Sequence, residues 1–168
     1  MKRAWLLVLL SVTGCNLVRG PRRDHECRST LRQIMAVEFA FHSEHLRYST
    51  HPHEVGFAPS PGNRYLYLFD KTGDVTRRDD KPSPPPAESV GYGPDTKKRD
   101  RTVEDLLPRL PSEARALLGL EGTCPDCQLT VGCIGNLDDD ADVDVWTIST
   151  KDRPGANRGT PLNFVSDL

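Results

Sequence analysis

The spacing of apolar residues predicts one long helix near the N-terminus of the chain. Between positions 26 and 46 the apolar side chains recur at steps of three and four residues, which is the period of a helix with one buried face. Asp24 precedes this segment as an N-cap, and Glu26 lies in the first turn, where a carboxylate is favourable. The same pattern places Glu38 and Glu44 away from the apolar face. Pro52 disfavours helix just before itself and closes the region.

A two-residue alternation farther along the chain predicts strands. Positions 65–69 form a short aromatic strand, and positions 128–135 and 143–148 alternate apolar and polar residues as half-buried strands do. The segment 136–142, which contains four aspartates, would form the turn of an antiparallel hairpin. Together with the long helix, these strands predict an α+β fold in which the helix packs on a small antiparallel sheet.

The segment 70–101 shows neither period. It contains runs of charged residues and three consecutive prolines but almost no apolar side chains. Such a composition cannot bury enough apolar surface to offset the entropy of ordering, so we expect a solvated, flexible excursion here. Two short helical turns, at 102–107 and 111–118, follow it. The domain predicted from these patterns covers residues 24–168.

Length and charge exclude several classes of protein. The 168 residues fit one domain with appendages, and 22 basic against 24 acidic side chains give a net charge of −2. A nucleic-acid-binding protein would normally carry a basic surplus, so we expect no nucleic-acid partner. No apolar run approaches the ~20 residues that a membrane-spanning helix needs. Neither a Gly-x-Ser-x-Gly elbow nor a phosphate-cradling glycine loop is present, so we expect no enzymatic activity.

The N-terminus carries the features of an export signal that ends at a cysteine. Basic residues at 2 and 3 precede the apolar run 4–10, which leads into Val12-Thr13-Gly14-Cys15. This string resembles the lipobox of bacterial lipoproteins, in which the cysteine thiol accepts a diacylglycerol. We therefore predict a signal peptide at 1–14, lipidation of Cys15, a tether at 15–23 and a membrane as partner. The alternative is an ordinary secretory signal with a chance cysteine. Asn16, rather than Asp, favours the outer membrane under the sorting rule of enteric bacteria.

Four strings in the chain resemble type IV pilin-like proteins. They are the helix text from Leu31 to His45, the loop Gly56-Phe57-Ala58-Pro59 with Gly62-Asn63-Arg64-Tyr65, the hairpin text 135–148, and the tail 159–168. The resemblance implies a pilin-like head that works by interaction with pilus or type II secretion-like proteins. Assembling pilins begin with a basic leader, a Phe and an apolar stretch with Glu at its fifth position, and the lipobox stands in that place here. We therefore expect a pilin-type head on a lipid anchor rather than a conventional pilus subunit.

The chain has five cysteines, and Cys15 is assigned to lipid. The remaining four allow three pairings. We prefer Cys124–Cys127 with Cys27–Cys133, because the second bond would tie the helix to the sheet. A zinc site is the other option, but such sites usually show two CxxC pairs and only one is present.

The Cys124-Pro125-Asp126-Cys127 string also has the spacing of redox-active proteins. A catalytic cysteine of that type lies at a helix N-terminus, which lowers its pKa, whereas a strand follows here. Exported compartments oxidise cysteines into structural bridges, so a structural disulfide is favoured. An exported thiol–disulfide protein remains the alternative function.

The acidic turn could bind calcium. Asp138, Asp140 and Asp142 would be the ligands, because hard cations require several oxygens around one point. The turn lacks the glycine and the glutamate of an EF-hand, and the alternative is a solvated acidic turn. A calcium-dependent binding module is therefore a further alternative, and calcium is the one cofactor that the sequence suggests.

Overall fold

A computed structural model of the chain describes residues 25–72, 74–78, 86–95, 102–137 and 142–165. The predicted signal peptide at 1–14 and the predicted tether at 15–23, including Cys15, lie outside the described residues, as do Asp138 and Asp140. The predicted α+β class is confirmed, because an N-terminal helix packs on a mostly antiparallel sheet.

The long helix, α1, spans His25–His45, so the predicted helix is confirmed nearly to its ends. Its buried face presents Cys27, Leu31, Ile34, Met35 and Glu38 to the sheet. The helix ends at Leu46, whose φ of 56° is left-handed and whose N–H donates to the carbonyl oxygen of His42 at 2.8 Å. This is the terminating conformation that glycine adopts most easily.

Within the described residues, seven strands form one sheet: β1 Leu66–Leu68, β2 Thr76–Arg78, β3 Gly91–Asp95, β4 Gly119–Glu121, β5 Gln128–Gly135, β6 Asp144–Ser149 and β7 Leu162–Val165. Their order is β2-β3-β1-β5-β6-β7, and β4 pairs with β5 on the same side as β1. Of the strand pairs in this part of the chain, only β2 and β3 run parallel. The predicted hairpin is therefore present, with β5 and β6 antiparallel and Gly135 opposite Asp144.

The sheet is covered on both faces. Tyr65, Tyr67 and Phe69 point toward the α1 side, whereas Leu66 and Leu68 point away from it, as the alternation of a strand requires. The second face is covered by α2 (Val103–Leu106), a 3₁₀ turn and α3 (Ser112–Leu117). The buried residues of these covering elements are Leu106, Leu110, Ala114 and Leu118.

The expectation of a solvated excursion at 70–101 is wrong for part of that segment. Gly91–Asp95 is a fully buried strand that pairs with β1, placing Tyr92 opposite Tyr67. A side chain at position 91 would overlap the carbonyl oxygen of Tyr67, so only glycine permits this close approach. The strand is therefore favoured by its close fit against β1 and by the burial of Tyr92, and not by an alternating pattern of apolar residues.

Candidate functional site

The N-terminal end of α1 is fastened to the sheet by a covalent bond. Cys27 and Cys133 of β5 form a disulfide with Cα atoms 6.3 Å apart, and both residues are buried. One residue earlier, the Glu26 carboxylate accepts hydrogen bonds from the backbone N–H and the Nε of Arg64, at 2.7 and 2.9 Å. The start of the helix is thus held both to the central strand and to the segment that leads into β1.

The C-terminal half of α1 contacts the turn that precedes β5. The Nε2 atom of His42 lies 3.0 Å from the carbonyl oxygen of Pro125, and its ring stacks on Tyr48 with centroids 4.3 Å apart. Pro125 lies inside the turn closed by the second disulfide, between Cys124 and Cys127, whose Cα atoms are 4.3 Å apart. Both disulfides thus follow the pairing preferred from the sequence. No helix begins at this turn, because the chain continues into β5.

A buried carboxyl group lies between the helix and the last strands. Asp144 is 1% exposed and accepts hydrogen bonds from the Tyr65 hydroxyl at 2.8 Å and from the Trp146 indole N–H at 2.9 Å. The side-chain amide of Asn163 in β7 lies at 3.4 Å. Burial and the neighbouring Asp144 raise the pKa of Tyr65. We call Asp144, Tyr65, Trp146 and Asn163 the Asp144 cluster.

Helix α1 reaches this cluster through Arg28. The Arg28 guanidinium lies over the Trp146 ring at 5.0 Å from its centroid, a cation–π contact. Nothing in the sequence pattern indicated a role for Asp144. The alternation of side chains along a strand could have indicated the cluster, because it places Asp144 and Trp146 on the same face of β6.

A second buried carboxyl group lies on α1 itself. The sequence pattern placed Glu38 off the apolar face, and this is wrong: Glu38 is fully buried, and its Oε2 atom accepts the backbone N–H of Ser49 at 3.1 Å. The Ser49 hydroxyl donates in turn to Glu54 at 2.6 Å, and Glu54 pairs with Arg47 at 2.9 Å. Burial raises the pKa of Glu38 to about 8, with a smaller contribution from the charge of Glu54.

The raised pKa makes the stability depend on pH. The folded protein holds the Glu38 proton more tightly than the unfolded chain does, so the stabilisation is complete below the unfolded pKa of 4.5 and is lost as pH rises toward 8. We expect Glu38→Gln, which mimics the protonated form, to match the wild type in urea unfolding at pH 4.5. At pH 8 the variant should be more stable by roughly 2 kcal/mol or more.

The control for this prediction is Glu44→Gln, on the exposed side of the same helix. This variant should show the same change in the free energy of unfolding between pH 4.5 and pH 8 as the wild type does. A Glu38→Gln variant whose stability followed that of the wild type at both pH values would contradict the assignment.

The predicted calcium ligands are only partly described. Asp142 is exposed, and its backbone carbonyl accepts a hydrogen bond from Arg109 at 2.9 Å. Among the residues that the structure describes, no group of three or more His, Cys, Asp or Glu side chains could hold a metal ion. Calcium binding at the turn thus stays a prediction. Over the same residues, no helix is both long and apolar enough to cross a bilayer.

Comparison with known proteins supports a pilin-like protein. The chain is 29% identical over 187 aligned positions to the type IV major pilin protein PilA of Myxococcus xanthus (strain DK1622). The alignment covers 97% of this chain and 85% of that pilin, so the similarity extends far beyond the hairpin. No protein-family model matches the chain.

Proposed function

We propose that this chain is a lipid-anchored, non-enzymatic pilin-like protein of the outer membrane that serves as an accessory component of a type IV pilus or a type II secretion-like system. The similarity to a type IV major pilin along nearly the whole chain carries the proposal. The architecture of one long helix on a mostly antiparallel sheet agrees with it.

The disulfide attachment of α1 to the sheet suits a domain that is anchored at its N-terminus. Any force on a lipidated Cys15 enters the head at the first turn of α1 and passes through the Cys27–Cys133 bond directly into β5. β5 lies at the centre of the sheet and pairs with β1, β4 and β6. Force on a tether attached in this way therefore acts on β5, which pairs with three neighbouring strands, and not on a strand at the edge of the sheet.

The described residues do not favour the alternative of an exported thiol–disulfide protein. A thiol–disulfide catalyst needs a reactive thiolate, which a helix N-terminus typically stabilises. Cys124 and Cys127 are instead joined to each other in a turn that leads into a strand. The two disulfides thus serve to hold the head together.

The lipid anchor can be tested by metabolic labelling. In a Gram-negative host given an alkyne fatty acid, the full chain should become labelled and should fractionate with the outer membrane, because several acyl chains give stable anchoring. Cys15→Ser should abolish both results, whereas Asn16→Ser, the neighbouring control, should remain labelled. Label that persists in Cys15→Ser would disprove the anchor.

The accessory role needs a separate test in the native cell. Deleting the gene should reduce surface pili or secretion while leaving the amount of major pilin unchanged. Complementation with the wild type, but not with Cys15→Ser, should restore the phenotype. A deletion strain with normal piliation and normal secretion would contradict the accessory role.

A further inference from the structure

The sheet face opposite α1 contains an open pocket at the end of α3. Its cavity volume is about 460 Å³. The hydroxyl groups of Thr130 and Ser149, 3.3 Å apart on β5 and β6, line it. The remaining walls come from the end of α3, from β4 and from residues 151–154. Nothing in the fold or in the proposed anchor makes use of this pocket.

Positive charge is concentrated around the pocket, on Lys71, Lys151 and Arg153. Arg153 donates from Nη1 to the Thr147 hydroxyl at 2.9 Å, whereas its Nη2 is buried with no hydrogen-bond partner among the described residues. No carboxylate of the described chain forms an ion pair with it. Burial alone lowers the pKa of Arg153. A half-buried cation without a counter-charge is unfavourable unless an anion completes its environment.

Two acidic residues also line the pocket, and they do not neutralise Arg153. Asp152 accepts the backbone N–H of Arg158 at 2.7 Å, which turns its carboxylate toward its own loop. Glu121 lies at the exposed end of β4. The lining therefore keeps a net positive charge, with Arg153 as its most buried cation.

Apolar side chains and a free strand edge adjoin the cations. Leu117 and Leu120 are 45% and 42% exposed, the largest exposures among the big apolar residues of the described chain after Leu46. Within the described residues, β4 pairs only with β5, so its other edge offers backbone N–H and C=O groups to an extended segment. Charge, apolar contact and backbone hydrogen bonding are thus available side by side.

We propose that this pocket binds an extended acidic peptide segment of a partner protein. One carboxylate of the segment pairs with Arg153 and Lys151, its backbone adds to the free edge of β4, and its apolar side chains cover Leu117 and Leu120. A peptide is favoured over an isolated anion because the leucines and the strand edge have no role toward a small ion. The inference rests on the proposed interaction role and is independent of the lipid on Cys15.

Fluorescence anisotropy with the full chain in neutral detergent micelles tests the proposal. The probe is a labelled octapeptide that alternates glutamate and valine, and the matched peptide alternates lysine and valine. We expect saturable binding of the acidic peptide only. Arg153→Gln and Lys151→Gln should each weaken it by roughly tenfold, the size of one charge-assisted contact. Arg32→Gln, an exposed site on α1, should leave the affinity unchanged.

If Arg153→Gln fails to fold, the affinity of Lys151→Gln for the acidic peptide decides: weaker binding supports the proposal, and unchanged binding overturns it. Equal weakening in Arg32→Gln would show a general charge effect and overturn the proposal. Binding of inorganic phosphate or of phosphatidylglycerol vesicles that depends on Arg153, with no binding of the peptide, would show an anion site of another kind and also overturn it. If the chain takes up no fatty-acid label but still binds the acidic peptide, the lipid anchor is disproved and the peptide site is supported.

Discussion

Replacing Cys27 and Cys133 together by alanine is expected to lower the free energy of unfolding by roughly 4–5 kcal/mol. Their disulfide joins residues separated by 106 positions, and a cross-link closing a loop of about 100 residues restricts the unfolded chain by about that amount. Replacing both residues avoids a free thiol, and alanine avoids a new buried hydroxyl group. Because this bond attaches α1 to β5, the loss should be among the largest that any two substitutions cause in the protein.

The second disulfide provides the matched control. Cys124 and Cys127 are separated by only 3 positions, so the same entropic argument gives roughly 2 kcal/mol for their replacement by alanine. Urea unfolding without reductant, followed by tryptophan fluorescence, measures both variants. Equal losses from the two pairs would show that loop length does not govern their contribution.

The elements that the sequence predicts well are those whose periodicity reports directly on burial. α1 shows the helical period over its whole length, and β5 and β6 show the two-residue alternation of strands that pair within one hairpin. Local pattern and tertiary burial agree in these elements. Their type and bounds could therefore be predicted to within about two residues.

The strand Gly91–Asp95 could not be predicted from its own residues, because the contacts that favour it are made by residues in other parts of the chain. Its sequence, Gly-Tyr-Gly-Pro-Asp, is poor in strand-forming residues, yet it is buried where β1 leaves room only for a glycine. The carboxylate of Asp95, at the end of the strand, accepts a hydrogen bond from the backbone N–H of Gly62 at 2.6 Å, and Gly62 is distant in the sequence. Nothing local to the segment reports either contact.

Buried carboxyl groups are missed for a related reason. A sequence pattern gives no reason to bury Glu38 or Asp144, because a buried charge is unfavourable without partners. The partners are Ser49 for Glu38 and, for Asp144, the hydroxyl group of Tyr65, which lies 79 positions away in the chain. Only the fold brings these groups together, so the candidate site could be predicted at its cysteines but not at its carboxyl groups.

The Asp144 cluster should be the most sensitive polar site in the protein. Asp144→Ala would leave the Tyr65 hydroxyl and the Trp146 indole N–H without their acceptor in a buried environment. An unsatisfied buried donor costs about 1–3 kcal/mol, so we expect a loss of roughly 3 kcal/mol in the free energy of unfolding. Asp144→Asn keeps one acceptor oxygen and should lose about half as much. Urea unfolding at pH 7 measures both variants.

A double-mutant cycle separates the hydrogen bond from the loss of side-chain volume. Tyr65→Phe removes the donor and Asp144→Ala removes the acceptor, so combining the two should reveal a coupling of about 0.5–3 kcal/mol. Asp142→Ala, at an exposed carboxylate two residues earlier, should change stability by no more than about 0.5 kcal/mol. If the cycle shows no coupling, Asp144 fills space without accepting a stabilising hydrogen bond from the Tyr65 hydroxyl. If coupling is found, a hydrogen bond joins Tyr65, the residue before β1, to β6 on the α1 face, in addition to the disulfide of Cys27.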